Sequence, residues 1–247
     1  MKKYVETSRG KVHYEPQTLY IGTKRIDKLK SKENLLLFKK VADEMNLSFS
    51  LSFGTLLGAI RENDFITHDE DIDLVVLEED RSLLLDTLFE LQKVGFKLIR
   101  YDRRGTVYSV MRNGEYIDVY LFWRLQNGIR KCFENAVYPE KYFVELTKHE
   151  FLGEMFNVPK EYLECLEFTY GENWRTPIQY ANFEMPWYKK KLLTFIWFIF
   201  NEVIPLSLYK WLMKVNGEKK GLITYNNRVK RIKNKYPDSK DLVEYKF

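Results

Sequence analysis

Cysteine is scarce in this chain: Cys132 and Cys165 are the two thiols among 247 residues, far apart and without a Cys-x-x-Cys or Cys/His spacing. That excludes a zinc ribbon and a disulfide framework, and it leaves two ordinary buried thiols as the expectation. Low-complexity segments and internal repeats are absent as well, which excludes a solenoid. The chain also lacks an unbroken apolar run of the roughly 20 residues needed to span a bilayer. The best candidate, Leu192 to Met213, is interrupted by Asn201, Glu202 and Pro205. The opening Met1-Lys2-Lys3 leads into polar sequence without the apolar core of a signal peptide, so the expected location is cytoplasmic, peripheral at the inner face of the membrane.

What is present is aromatic and unevenly charged. Phe, Trp and Tyr make up 16% of the chain, and the formal net charge is +5. Residues 187–247 hold 14 Lys/Arg and 5 Asp/Glu, net +9, which leaves 26 basic and 30 acidic residues, net −4, for residues 1–186. Three parts follow: an N-terminal extension (1–30), a catalytic domain (31–186) and a basic, aromatic-rich helical tail (187–247). Lysines 189–191 introduce the apolar stretch of the tail, so residues 187–214 are expected to lie on a membrane surface, with core packing or an oligomer contact as the alternative. The later cluster Arg228, Lys230, Arg231, Lys233 and Lys235 comes with no nucleic-acid motif, and no nucleic-acid partner is expected.

The chemistry concentrates in Phe53-Gly54-Thr55-Leu56-Leu57-Gly58-Ala59-Ile60-Arg61, followed by Asp71-Ile72-Asp73 at the head of an apolar run. Strand side chains alternate faces, so Asp71 and Asp73 are expected on one side and Ile72 and Leu74 on the other. Two carboxylates on one face call for a cation, and hard oxygen donors suit Mg²⁺ or Mn²⁺. Asp118, alone in the strand-like run Glu115-Tyr116-Ile117-Asp118-Val119-Tyr120-Leu121-Phe122, is costly to bury unpaired. Beside Asp71 and Asp73 it would complete a three-carboxylate cluster able to hold two ions. An ion pair with an arginine such as Arg112 is the structural alternative. Gly54 and Thr55, at a helix start, offer N–H groups to a phosphate. Arg61 can clasp phosphate or pair with Glu62.

The periodicity predicts helix over 32–45, strand over 48–52, a short helix after Gly54, strand over 71–77 and helix over 80–94 ended by Gly95. Strands are expected at 96–101, 106–112 and 115–122, with turns at 103–105 and at Asn113-Gly114. Pro159 is expected to open a helix reaching Tyr170.

Gly-Thr, then Asp-x-Asp, then a later apolar-Asp-apolar strand resembles the nucleotidyltransferase fold, and within it the LicD family of phosphocholine transferases and fukutin-related enzymes. The resemblance is carried by residues 52–61 and 65–74 and by Ile117-Asp118-Val119-Tyr120. Phe151-Leu152-Gly153-Glu154 and Tyr170-Gly171-Glu172-Asn173-Trp174-Arg175-Thr176-Pro177 complete it. It departs at His68, where tryptophan is usual, at Glu70, where aspartate is usual, and at Asp64, where glycine is usual before Phe65. The resemblance implies an α/β (α+β) fold, a mixed sheet flanked by helices, with the basic, apolar helical appendage at the C-terminus. It further implies a CDP-linked donor whose phospho-group passes to a hydroxyl of a glycan or lipid-linked glycan, with CMP leaving. Asp71, Asp73 and Asp118 would be catalytic and metal-binding; Gly54, Thr55, Arg61 and His68 would bind substrate. Asp69 and Glu70 are either outer ligands or merely exposed, and Tyr170, Trp174 and Arg175 either line the pocket or belong to the core. Transfer of a nucleoside monophosphate to a small molecule and silent glycan binding at a membrane are the two competing functions.

Overall fold

The computed structural model describes residues 3–17, 19, 24–102, 104–133, 135–178, 186–236 and 239–247. A hairpin of β1 (Lys3–Thr7) and β2 (Gly10–Tyr14) precedes helix α1 (Lys28–Glu44). The helix begins four residues before its expected start because Asp27 caps it, accepting from the Lys30 N–H at 3.2 Å. Next come β3 (Ser50–Leu51), α2 (Phe53–Arg61), β4 (Ile72–Leu77), α3 (Arg81–Lys93), β5 (Lys97–Tyr101), β6 (Val107–Arg112) and β7 (Glu115–Gln126). The order β3-β4-β7-β6-β5 forms the central sheet, with β4 parallel to β7 and the other neighbours antiparallel. The architecture is a mixed α/β fold.

Alternation explains how the sheet is covered. Ile72, Leu74 and Val76 of β4 are buried on one face, where α1 and α3 pack through Leu35, Phe38, Leu84, Leu88 and Leu91. Each such side chain contributes roughly 1.5–3 kcal/mol by leaving water. Asp73 points to the opposite face, toward α2. Asn113 and Gly114, with φ of 54° and 82°, make the two-residue β6–β7 turn, as the Asn-Gly pair requires. The expected turn at 103–105 includes Arg103, which lies outside the described residues.

Six strands escaped the sequence reading, the β1–β2 hairpin and the four that follow β7. β8 (Ile129–Lys131) extends the sheet from the far end of β7 and pairs with β9 (Val137–Pro139). After a single helical turn, α4 (Lys141–Val144), β10 (Leu146–Phe151) and β11 (Glu154–Pro159) form a hairpin. Its turn is Leu152-Gly153, both with positive φ, 57° and 89°. The expected helix opened by Pro159 is corrected: Pro159 ends β11, opposite Leu146, and α5 spans Tyr162–Tyr170. A proline is tolerated at a strand terminus, where its missing N–H is not needed.

The C-terminal region divides into α6 (Trp187–Phe198), a π-turn (Ile199–Val203), α7 (Leu206–Met213), a second π-turn (Lys214–Glu218) and α8 (Lys219–Lys235). Helix α8 belongs to the core, burying Leu222, Tyr225, Val229 and Ile232. The basic cluster along it is engaged with protein: Lys235 donates to both oxygens of Glu167 at 2.7 and 2.8 Å, Arg231 to the Glu167 carbonyl at 2.7 Å, and Arg228 lies over the Phe168 ring. Tyr225 Oη donates to the Val243 carbonyl and Asn226 exchanges two bonds with Tyr245, so the last residues fold back over this helix.

Glu167 is fully buried, and burial pushes its carboxyl up, yet Lys235 and Tyr236 outweigh that and hold it below its ordinary value of 4.5. Its contribution to stability is therefore complete above about pH 4.5 and is lost as the pH falls through the lowered folded value. Glu167→Gln is expected to cost about 1.5 kcal/mol near neutral pH, the low end for charged hydrogen bonds because Lys235 is 45% exposed. Thermal melts across pH check this. The variant should also show a shallower acid loss than wild type.

Candidate active site

The site begins with the turn between β3 and α2. Phe53 sits at φ 42°, a left-handed conformation rare for a bulky residue. Its ring is pinned edge-on between Tyr120 and Tyr138, at 5.0 and 5.8 Å. The turn aims the first helical N–H groups at β4. Gly54 N–H donates to Asp73 Oδ2 at 3.0 Å, the Asp73 N–H donates to Thr55 Oγ1 at 2.8 Å, and the Ser52 N–H donates to the Asp73 carbonyl at 3.1 Å. The Gly54 N–H expected to meet a phosphate is thus taken by Asp73, and Thr55 is buried beside it. Glycine is required at 54: a Cβ there would stand 2.1 Å from Asp69 Oδ2 and 3.2 Å from Asp73 Oδ2.

A row of polar side chains crosses the sheet from Asp73. Asp73 is the register partner of Asp118 in the parallel β4–β7 pair, Asp118 of Ser109 in β7–β6, and Ser109 of Arg100 in β6–β5. Residues level on adjacent strands share a face and stand about 5 Å apart. Asp118 accepts from the Ser109 hydroxyl on one oxygen and from the Arg100 guanidinium on the other, while Arg100 Nε donates to Ser109 Oγ at 2.7 Å. The arginine paired with Asp118 is therefore Arg100. Arg112, named as an example of the alternative partner, donates to Glu33 and Asn34 at the other end of its strand.

Asp71 lies one residue before β4, so it is not carried by strand alternation. It nevertheless joins the same field. Burial, then Asp73, Asp118 and Asp69, push the Asp71 carboxyl well above the ordinary carboxylate range, against the opposing pull of Arg100. Burial, Asp69 and Asp118 do the same to Asp73, against its bonds from Gly54 and Tyr120. Asp69 is raised, mainly by burial.

A cleft of about 400 Å³ opens beside these acids, within the range of small-molecule sites. Gly54, Arg61, His68, Asp69, Glu70 and Asp71 line it together with Tyr116, Tyr170, Asn173 and Trp174. Asp73 and Asp118 are buried behind it at 7% and 3% exposure. Arg61 donates to Glu62 at 2.6 Å and to the Trp174 carbonyl at 3.3 Å, so the expected pairing with Glu62 is realised while the side chain lines the cleft. Trp174 is both core and wall, and Arg175 stacks on its ring at 4.2 Å.

Residues 46–161 match the family model LicD/FKTN/FKRP, nucleotidyltransferase domain. The match covers just under half of the chain. The human protein named Ribitol-5-phosphate transferase FKTN is 26% identical over 160 residues, covering 60% of this chain and 34% of that protein. The chain thus spans about a third of the length of this curated relative. Uncharacterized protein RP689 of Rickettsia prowazekii (strain Madrid E) is 24% identical over 146 residues, covering 54% of this chain and 52% of that one. Among solved structures, ANT(2'')-Ia in complex with adenylyl-2''-tobramycin aligns with 17% identity and a TM-score of 0.43, over 81% of this chain and 98% of that one. That likeness is too distant to carry an argument.

The LicD match contains the Phe53 turn, Asp71, Asp73 and Asp118, and it ends before Trp174. The structure adds the segment after α5 by folding it onto Arg61. It also adds Arg100 and Ser109, for which the sequence offered only a weak signal: a charged and a hydroxyl residue inside otherwise apolar or aromatic strands. Removing Arg100 leaves Asp118 facing other acids without its partner. Arg100→Ala should cost about 2–3 kcal/mol, and much less when Asp118→Asn is already present. Denaturant unfolding of the four proteins in a double-mutant cycle checks this. Additive costs would contradict the pairing.

Proposed function

We propose that the LicD domain is a metal-dependent phosphotransferase that moves a phospho-substituent, phosphocholine or a relative, from a CDP-activated donor to a hydroxyl of a cell-surface glycan, releasing CMP. The observation that supports it is a cleft large enough for a nucleotide with Asp71 and Arg61 on its wall, and Asp73 buried in the same acidic cluster. The name of the human relative makes a phospho-alditol donor the first to test.

The donor set fits a hard divalent ion, Mg²⁺ or Mn²⁺. Burial and mutual repulsion disfavour ionising Asp71 and Asp73 together, and a cation between them reverses that preference. Among the described residues no three His, Cys, Asp or Glu side chains are grouped to hold a metal ion. Two carboxylates suffice for Mg²⁺, which takes its other ligands from water and substrate phosphate. Such an ion, when bound, neutralises charge on the donor diphosphate. A second ion is not part of the proposal; each oxygen of Asp118 already accepts a hydrogen bond, one from Ser109 and the other from Arg100.

The side chains divide the remaining work. Arg61 keeps N–H donors beyond those used on Glu62 and Trp174, and they are suited to a phosphate oxygen. His68 contacts the substrate from the cleft wall. As the acceptor oxygen closes on phosphorus and the bond to CMP breaks, the hydroxyl proton passes to the wall carboxylate Asp69. Asp118 is a fixed partner of Arg100 rather than the base.

Product mass decides the reaction. Incubation with CDP-ribitol, CDP-choline or CDP-glycerol, Mg²⁺ and a glycan acceptor should yield CMP and an acceptor heavier by the phospho-substituent. Asp71→Asn and Asp73→Asn should lower turnover by about 10²–10³-fold or more while circular dichroism shows the fold intact. Near-normal turnover in either variant refutes the site; gain of a nucleotide with pyrophosphate release from a nucleoside triphosphate assigns nucleotidyl transfer instead.

A further inference from the structure

Helices α6 and α7 present the largest run of exposed apolar side chains on the described surface. Trp187, Leu192, Phe195, Phe198, Leu208 and Trp211 are each 44–71% exposed. On α6 the exposed apolar residues at 192, 193, 195, 196 and 198 spread over about 220° of the circumference, a face wider than a core-facing stripe. So broad an apolar face calls for an apolar surrounding, and the described residues supply none here.

Charge selects the occupant. Residues 187–217 contain five lysines and one acidic residue, net +4. Lys189 and Lys191 are exposed at the start of α6, and Lys210 and Lys214 are exposed on and just after α7. Lys191 lies over the Trp187 ring at 5.1 Å. A second copy docking face to face would set one net +4 surface against another. An anionic bilayer instead takes up the apolar side chains while its headgroups pair with the lysines. No helix among the described residues is long and apolar enough to cross a membrane, and Pro205 breaks the α6–α7 path into two short pieces. Tyr209, 6% exposed, and the buried face of α8 fix the far end of this unit to the domain.

We infer that α6 and α7 form an in-plane anchor that inserts into the interface of an anionic lipid bilayer, with the tryptophans and phenylalanines at the headgroup boundary and the lysines on acidic headgroups. The anchor shares no residue with the carboxylate site and stands or falls independently of the proposed reaction.

Co-sedimentation of the full chain with vesicles tests it. Phosphatidylcholine vesicles containing phosphatidylglycerol should carry the protein down, and vesicles of phosphatidylcholine alone should bind it about tenfold less or worse. Raising the salt should weaken binding to the anionic vesicles. Phe195→Glu/Trp211→Glu, at exposed positions where the fold is indifferent to the change, should lower binding about tenfold or more; Lys189→Glu/Lys191→Glu/Lys210→Glu should abolish the preference for phosphatidylglycerol. Circular dichroism melts confirm that the variants remain folded. Wild-type protein left in the supernatant with both vesicle types overturns the inference. So does sedimentation equilibrium showing a dimer that Phe195→Glu/Trp211→Glu dissociates while vesicle binding is unchanged.

Discussion

Everything at the carboxylate site depends on how Asp73 is held. Its N–H, carbonyl and carboxylate each bond to the turn that opens α2, through Thr55, Ser52 and Gly54 in that order. Buried carboxylates are tolerated only with such partners. The threonine at 55 and the unusual Phe53 backbone serve this aspartate, the one as acceptor for the Asp73 N–H and the other by a packed ring that holds the turn, while glycine at 54 answers chiefly to Asp69, whose Oδ2 would stand 2.1 Å from a Cβ.

From Asp73 the constraint spreads across the sheet. The parallel register sets Asp118 level with it, which would put two like charges side by side in a buried layer. Ser109 and Arg100 satisfy Asp118 from the next two strands, so one member of the cluster is neutralised by the protein itself. Asp71, Asp73 and Asp69 remain raised. The proposed reaction draws on Asp71 and Asp73, whose carboxyls are raised by burial and by neighbouring acids. The neighbouring strand β5 sits at the sheet edge, and the Gln17 N–H donating to the Ile99 carbonyl at 3.1 Å covers part of that edge.

Sequence alone reached the elements in which local chemistry and tertiary packing agree. The β4 and β7 strands, helix α3 and the Asn113-Gly114 turn follow from periodicity and turn residues, and the two aspartates on β4 and β7 stand out because their neighbours are apolar. The partner of Asp118 was not legible. Arg100 is one of 40 basic residues, and it lies past a register shift in β5, so neither spacing nor alternation leads to it. Asp71 reaches the site from the residue before the strand, where alternation has no hold. The β10–β11 hairpin was hidden because Leu152 at positive φ is atypical turn chemistry, and Pro159 gave a helix signal where it ends a strand. The basic residues of α8 resembled a binding patch, but most of them answer to Glu167, Phe168 and Glu244 within the fold.

The charge asymmetry of the sequence thus separates into two physical roles: α8 uses its cations to dock, and α6–α7 keep theirs exposed beside apolar rings. The central claim concerns the carboxylates, and metal-dependent ligand binding tests it most directly. Melting temperatures of wild type and Asp71→Asn should be measured with CDP-ribitol, CDP-choline, CMP, CTP and ATP, each with and without Mg²⁺. The account predicts a rise for one CDP-alcohol that requires Mg²⁺ in wild type and disappears in Asp71→Asn. An equal rise without metal, or the same rise in the variant, would contradict it.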